Sequence, residues 1–114
     1  MIQIYHNPRC KKSREALHFL ENSGKVFEII KYLEAIPTKD ELKTIIRFLG
    51  IDAGDLVRKN ERVWKEKFKN KNLSDDEIMD AMISHPKLIE RPIVVNNGRA
   101  VIARPLSNIV SLID

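Results

Sequence analysis

Ile2-Gln3-Ile4-Tyr5-His6-Asn7-Pro8-Arg9-Cys10-Lys11-Lys12-Ser13 contains the only cysteine of a 114-residue chain. An apolar run that reads as a strand precedes the thiol, Asn7-Pro8 marks a turn, and an amphipathic run that reads as a helix follows. A thiol so placed can be made reactive. It attacks only as thiolate, and a helix N-terminus with cations nearby stabilises that anion because unpaired backbone N–H groups point at it. His6, Arg9, Lys11 and Lys12 are its neighbours in sequence. The competing reading makes Cys10 a small buried hydrophobe, the commoner fate of a lone cysteine. The stretch alone leaves both readings open.

Outward from the thiol, Ala16, Leu17, Phe19 and Leu20 fall largely on one face of a helix over Lys11 to Asn22, with Gly24 placed as its C-terminal cap. Val26 to Ile30 is β-branched and reads as a second strand, so Met1 to Ile30 is a βαβ unit with parallel strands. Thr38 to Glu41 has capping-box spacing, Leu42, Ile45, Ile46 and Leu49 share a face, and Gly50 is a stop. A short helix is expected over Ile51 to Arg58 and a helical turn over Val63 to Phe68, where Trp64 and Phe68 can pack together. Ser74 to Glu77 repeats the capping box, and that helix must stop near His85-Pro86. Ile93 to Asn96 and Arg99 to Ala103 flank Asn97-Gly98, a hairpin signal, and Pro105 suits the start of a helix with the face Leu106, Ile109, Val110 and Ile113. The expected architecture is α/β, a mixed four-stranded sheet flanked by helices. One domain spans 1–114, with a core of about 1–34 and 87–114 and a helical insertion of about 35–86.

At 43% hydrophobic and 32% charged residues, neither disorder nor a fibrous class is suggested. A formal charge of +4 raises the question of nucleic acid, but the basic residues are spread along the chain among sixteen acidic ones, which reads as a mixed solvated surface. If a few arginines converge, the partner is a small oxyanion instead of a duplex. One cysteine excludes an internal disulfide, no apolar run approaches membrane-spanning length, and no signal-peptide pattern is present, so the expected compartment is a reducing cytoplasm. With one cysteine and three scattered histidines, no metal site is expected.

His6-Asn7-Pro8-Arg9-Cys10, Cys10-x-x-Ser13, Tyr32-Leu33, Pro37-Thr38, Glu41-Leu42, Leu56-Val57-Arg58, His85-Pro86, Glu90-Arg91-Pro92-Ile93-Val94-Val95 and Arg104-Pro105 occur in that order. Together they resemble the glutaredoxin-coupled arsenate reductase family, from the first strand to the last helix. The resemblance implies a thioredoxin/glutaredoxin-like fold and the reduction of arsenate to arsenite. It implies that Cys10 is the nucleophile, that Arg58, Arg91 and Arg104 hold the oxyanion, that His6 favours the thiolate and that Ser13 offers a hydroxyl beside it. Arg91-Pro92 would carry a cis peptide, which makes Pro92 the cis-proline candidate. No cofactor would be bound; glutathione would be a co-substrate that displaces the arsenic from the cysteine, and glutaredoxin would complete the reduction. The resemblance also implies a monomer.

The residues support this chemistry on their own terms. Planar guanidiniums bind tetrahedral oxyanions bidentately and raise the electrophilicity of the centre. A one-cysteine chain cannot resolve its own adduct and needs an external thiol, and a serine three residues on can only hydrogen-bond the thiolate. Lys11 and Lys12 add two ammoniums where many relatives carry smaller or less charged residues, and they can tune the thiol or compete for the anion. Each arginine also has a structural reading: Arg58 as a helix cap, Arg91 as a partner of Glu90, Arg104 as an exposed strand end. Two rival functions stand beside the reductase: a redox-responsive transcription regulator of the same superfamily that binds RNA polymerase, and a glutathione-dependent thiol reductase acting on another substrate. The regulators commonly carry Cys-x-x-Cys and lack the full arginine set, so Cys10-x-x-Ser13 with Arg58 and Arg104 favours the enzyme.

Overall fold

Strand β1 (Ile2–Tyr5) occupies the middle of a four-stranded sheet because its side chains are buried among apolar partners on two neighbouring strands. The computed structural model describes residues 1–114. β1 leads through the thiol loop into helix α1 (Lys11–Asn22), and β2 (Phe27–Ile30) then lies parallel to β1, with Ile4 opposite Ile29. On the other side β3 (Ile93–Asn96) runs antiparallel to β1, with Ile4 opposite Val94, and β4 (Arg99–Ile102) completes the order β2-β1-β3-β4. The β3–β4 hairpin turns at Asn97 and Gly98, with φ of 49° and 77°. Positive φ at both central positions gives a turn whose twist matches that of the flanking strands, and Asn-Gly tolerates it best. The fold is thioredoxin-like.

The chain divides into two compact units, residues 1–35 with 91–114, and residues 36–90. In the first, Ile2, Ile4, Val94, Ala16, Leu20 and Ile109 form the core, where α1 and the last helix, α6 (Asn108–Ile113), cover the sheet. Leu20 is fully buried, so Leu20→Ala costs about 2–5 kcal/mol. The second unit holds α2 (Lys39–Leu49), α3 (Ala53–Leu56), α4 (Arg62–Lys67) and α5 (Asp75–Ser84), followed by a 3-10 turn at Pro86–Leu88. Thr38 and Ser74 close reciprocal capping boxes with Glu41 and Glu77, and Gly50 ends α2 with φ 69°. Leu42, Ile45, Leu56 and Met82 are buried where α5 packs on α2 and α3. Residues 87–90 go with this unit: Val57 bridges to Ile89 and the Glu90 amide donates to Leu56 O at 2.9 Å.

Three local expectations need correction. The last helix starts at Asn108 and not at Pro105, because residues 104–107 form a tight turn in which the Asn108 amide donates to Pro105 O at 3.1 Å and its side chain to Ile102 O at 3.0 Å. Its buried face is Ile109, Leu112 and Ile113, and Val110 points to solvent at 44% exposure. The second strand begins at Phe27, leaving Val26 exposed at the sheet edge, and the helix expected over Ile51 to Arg58 shrinks to one turn, Ala53–Leu56, since Val57 is extended and pairs with Ile89.

Candidate active site

Cys10 is the N-cap residue of α1, with an extended backbone (φ −96°, ψ 122°) and its carbonyl already accepting the Arg14 amide at 3.0 Å. No side chain caps this helix, so the sulfur sits where the helix presents its free amide donors. The loop that delivers it is rigid for identifiable reasons. The Cys10 amide donates to Asn7 O at 3.0 Å, the Arg9 amide to Asn7 Oδ1 at 3.0 Å, and Arg14 Nη1 to Pro8 O at 3.0 Å. Cys10 is 8% exposed.

The guanidinium of Arg104 bridges two groups of this site. Its Nη2 lies 3.6 Å from Cys10 Sγ, and its Nε donates to the Arg91 carbonyl at 2.8 Å. The Arg91–Pro92 peptide is cis, Pro92 is fully buried, and its carbonyl accepts the Ala103 amide at 2.9 Å, which ties the two arginine-bearing segments together. The Arg104–Pro105 peptide is also cis, which the sequence did not suggest.

His6 and Ser13 meet each other beneath the thiol loop. Ser13 is fully buried on the first turn of α1, and its Oγ faces His6 Nδ1 at 2.6 Å and accepts the Asn7 amide at 3.0 Å. Burial is the main reason the His6 imidazole sits below its ordinary value, with Lys31 and Arg14 adding to the same direction and the Ser13 contact opposing it. Ser13 Oγ has a proton to donate and a second lone pair beside the one that Asn7 occupies, so the contact is satisfied with either tautomer of the His6 ring. The pair is a structural brace under the thiol loop.

The remaining sequence candidates are placed as follows. Arg58 belongs to the unit of residues 36–90, where its Nη1 lies 2.7 Å from Glu61 Oε1 and its Nε 3.7 Å from Glu90 Oε1. Lys11 and Lys12 are exposed, and Lys12 reaches Glu15 at 3.7 Å. Trp64 and Phe68 pack at 5.5 Å between ring centroids, and Phe68 meets His85 edge-on at 5.9 Å. His18 is an exposed partner of Glu21. No group of three or more His, Cys, Asp or Glu side chains is placed to hold a metal ion, and no helix is long and apolar enough to cross a membrane. Sequence reasoning overlooked Asn7 and Arg14. The Asn-Pro dipeptide is a turn signal that could have pointed to Asn7; nothing local marks Arg14.

A lone thiol at the start of the first helix, a buried cis-proline on the adjoining segment and a guanidinium over the sulfur define a single-cysteine site on a thioredoxin-like scaffold. The chain belongs to the ArsC family, whose model matches residues 5–112. It is 45% identical to the arsenate reductase of Neisseria meningitidis serogroup A over 98% of this chain and 97% of that one. It is 41% identical to an arsenate reductase of Escherichia coli K12, over 98% of this chain and 80% of the other. Among solved structures, the arsenate reductase from Vibrio cholerae superposes with a TM-score of 0.93 at 46% identity, covering 98% of this chain and 97% of that chain.

Proposed function

We propose that this protein reduces arsenate to arsenite in the cytoplasm, with Cys10 as nucleophile and external thiols, glutathione and glutaredoxin, as the source of electrons. The observation that carries the reading is the Arg104 guanidinium 3.6 Å from Cys10 Sγ: a fork of N–H donors beside the nucleophilic sulfur is placed to hold the oxygens of an incoming oxyanion. Arg91 serves the same oxyanion, and the sequence pattern adds Arg58. The sulfur attacks arsenic, an S–As bond forms, and one oxygen leaves as water. Two external thiols then supply two electrons: arsenic(V) becomes arsenic(III), the thiols become a disulfide and a second water leaves. Hydrolysis of the remaining S–As bond takes one water back, frees Cys10 and releases arsenite, so that arsenate plus two thiols give arsenite, one disulfide and one water. The single cysteine supports this division of labour, because Ser13 stands where a resolving thiol would be and its hydroxyl is engaged by His6 and Asn7.

The test is arsenate-dependent oxidation of a nicotinamide-coupled glutathione and glutaredoxin system. Wild type turns over, Cys10→Ser does not, and Arg58→Ala loses kcat/KM for arsenate. Wild-type turnover no faster than that of Cys10→Ser overturns the reading.

A further inference from the structure

Residues 59–71 carry Lys59, Arg62, Lys65, Lys67, Lys69 and Lys71 against two acids, Glu61 and Glu66. Both acids are taken by arginines: Glu61 by Arg58 at 2.7 Å and Glu66 by Arg62 at 2.6 Å. None of the five lysines is in an ion pair. The same unit treats Lys39 differently, setting its Nζ 2.8 Å from Asp76 and 2.9 Å from Asp80. Four of the unpaired lysines, Lys59, Lys65, Lys69 and Lys71, surround one cavity of about 430 Å³. Its apolar lining comes from Trp64, Leu73 and Ile78. That volume falls in the range of small-molecule sites, about 300–1,000 Å³. Gathering like charges without counter-charge works against the folded chain, and an anion in the cavity would offset it. The floor is firm: the Phe68 and Lys69 amides both donate to Trp64 O at 2.9 Å, and Phe68 packs between Trp64 and His85, tilted on the first ring and edge-on to the second.

We propose that this cavity binds a small organic polyanion with an apolar end, of the nucleoside-polyphosphate type, its phosphates against the four lysines and its apolar end on Trp64, Leu73 and Ile78. Ammoniums are point charges on flexible stems, suited to a chain of phosphates whose charge is spread over several oxygens, whereas a planar carboxylate is matched better by an arginine fork. Lysines alone would accept any polyanion. The apolar floor gives the site its preference.

Trp64 is the only tryptophan and lines this cavity, so its emission in the folded chain is a single-site probe there. The full chain is titrated with ATP, with inorganic tripolyphosphate and with adenosine at about 10 mM salt, where the screening length is about 30 Å. ATP is expected to shift Trp64 emission with saturable one-to-one stoichiometry, tripolyphosphate to bind several-fold more weakly, and adenosine not to bind. The double variant Lys69→Gln/Lys71→Gln should lose about tenfold in ATP affinity, while Lys25→Gln, an exposed lysine of the other unit, should lose none. Both replaced side chains are exposed, and circular dichroism confirms the fold; should the double variant fail to fold, the single variants give the same reading. The proposal is overturned by the absence of saturable ATP binding, by equal losses in the Lys25→Gln and double variants, or by tripolyphosphate binding as tightly as ATP.

Discussion

Arg104 spans the gap between Cys10 and Arg91 with one guanidinium, Nη2 toward the sulfur at 3.6 Å and Nε on the Arg91 carbonyl at 2.8 Å. The carbonyl contact fixes the plane of the fork, and the fixed plane places a cation at the thiol. A lysine can satisfy one of these two demands but not both. Charge-assisted contacts contribute about 1.5–3 kcal/mol, so Arg104→Lys and Arg104→Ala should each lower kcat/KM for arsenate by about 10–100-fold. Retention of more than half the wild-type activity in Arg104→Lys would show that the two-ended contact is not needed.

The brace under the loop predicts a stability effect separate from chemistry. Ser13→Ala removes the group that meets both His6 Nδ1 and the Asn7 amide in a fully buried position. Leaving buried polar groups unsatisfied costs about 1–3 kcal/mol each. The expected result is a drop of that order in unfolding free energy by urea titration, with the Trp64 signal as the probe. An unchanged midpoint would mean that water replaces the hydroxyl at no cost.

His6 predicts the acid side of the stability profile. Its folded value lies below the ordinary value of about 6.5, so between the two the unfolded chain binds a proton that the folded chain refuses. Stability is therefore unaffected by this group above about pH 6.5 and falls as the pH drops from there toward the folded value. One proton limits the slope to about 1.4 kcal/mol per pH unit. In His6→Gln, which keeps an acceptor for Ser13, the loss between pH 7 and pH 5 should shrink by this contribution. Equal slopes in the two proteins would place the acid sensitivity elsewhere.

The elements that depend on near neighbours were readable from the chain: capping boxes at Thr38 and Ser74, the left-handed stop at Gly50, the Asn97-Gly98 hairpin and the thiol between strand and helix. What local pattern does not carry is partnership over distance. Arg104 meets a sulfur 94 residues earlier in the chain, and no periodicity marks that. Helical spacing brings residue i+3 near residue i, but it does not mark that the buried Ser13 hydroxyl also meets His6 and the Asn7 amide, where its donors and acceptors are satisfied. Pro105 suits a helix start by propensity; the turn closed by Asn108 overrides it.

The two capping boxes of residues 36–90 yield a prediction with its own control. At the start of α5 the Glu77 amide donates to Ser74 Oγ at 3.2 Å and Glu77 Oε1 accepts the Ser74 amide at 3.0 Å. The backbone contact from Ser74 is the main reason the Glu77 carboxyl sits below its ordinary value, followed by the Ser74 side chain, with Asp76 and Asp80 opposing. Its stabilising effect is therefore present above the unfolded value, about 4.3, and is lost as pH falls through the lower folded value. Ser74→Ala should cost about 1 kcal/mol at pH 7, as an N-cap does. Glu77→Gln keeps an acceptor but not the charge, so its cost should be visible at pH 7 and vanish at an acidic pH below the lowered folded value, where the wild-type carboxyl is itself protonated. Thr38→Ala, at the matching box of α2, should lose a similar amount at pH 7. Urea titration of all three variants at both pH values checks the sign, and a Glu77→Gln cost that persists at low pH would show that shape, not charge, carries the second half of the box.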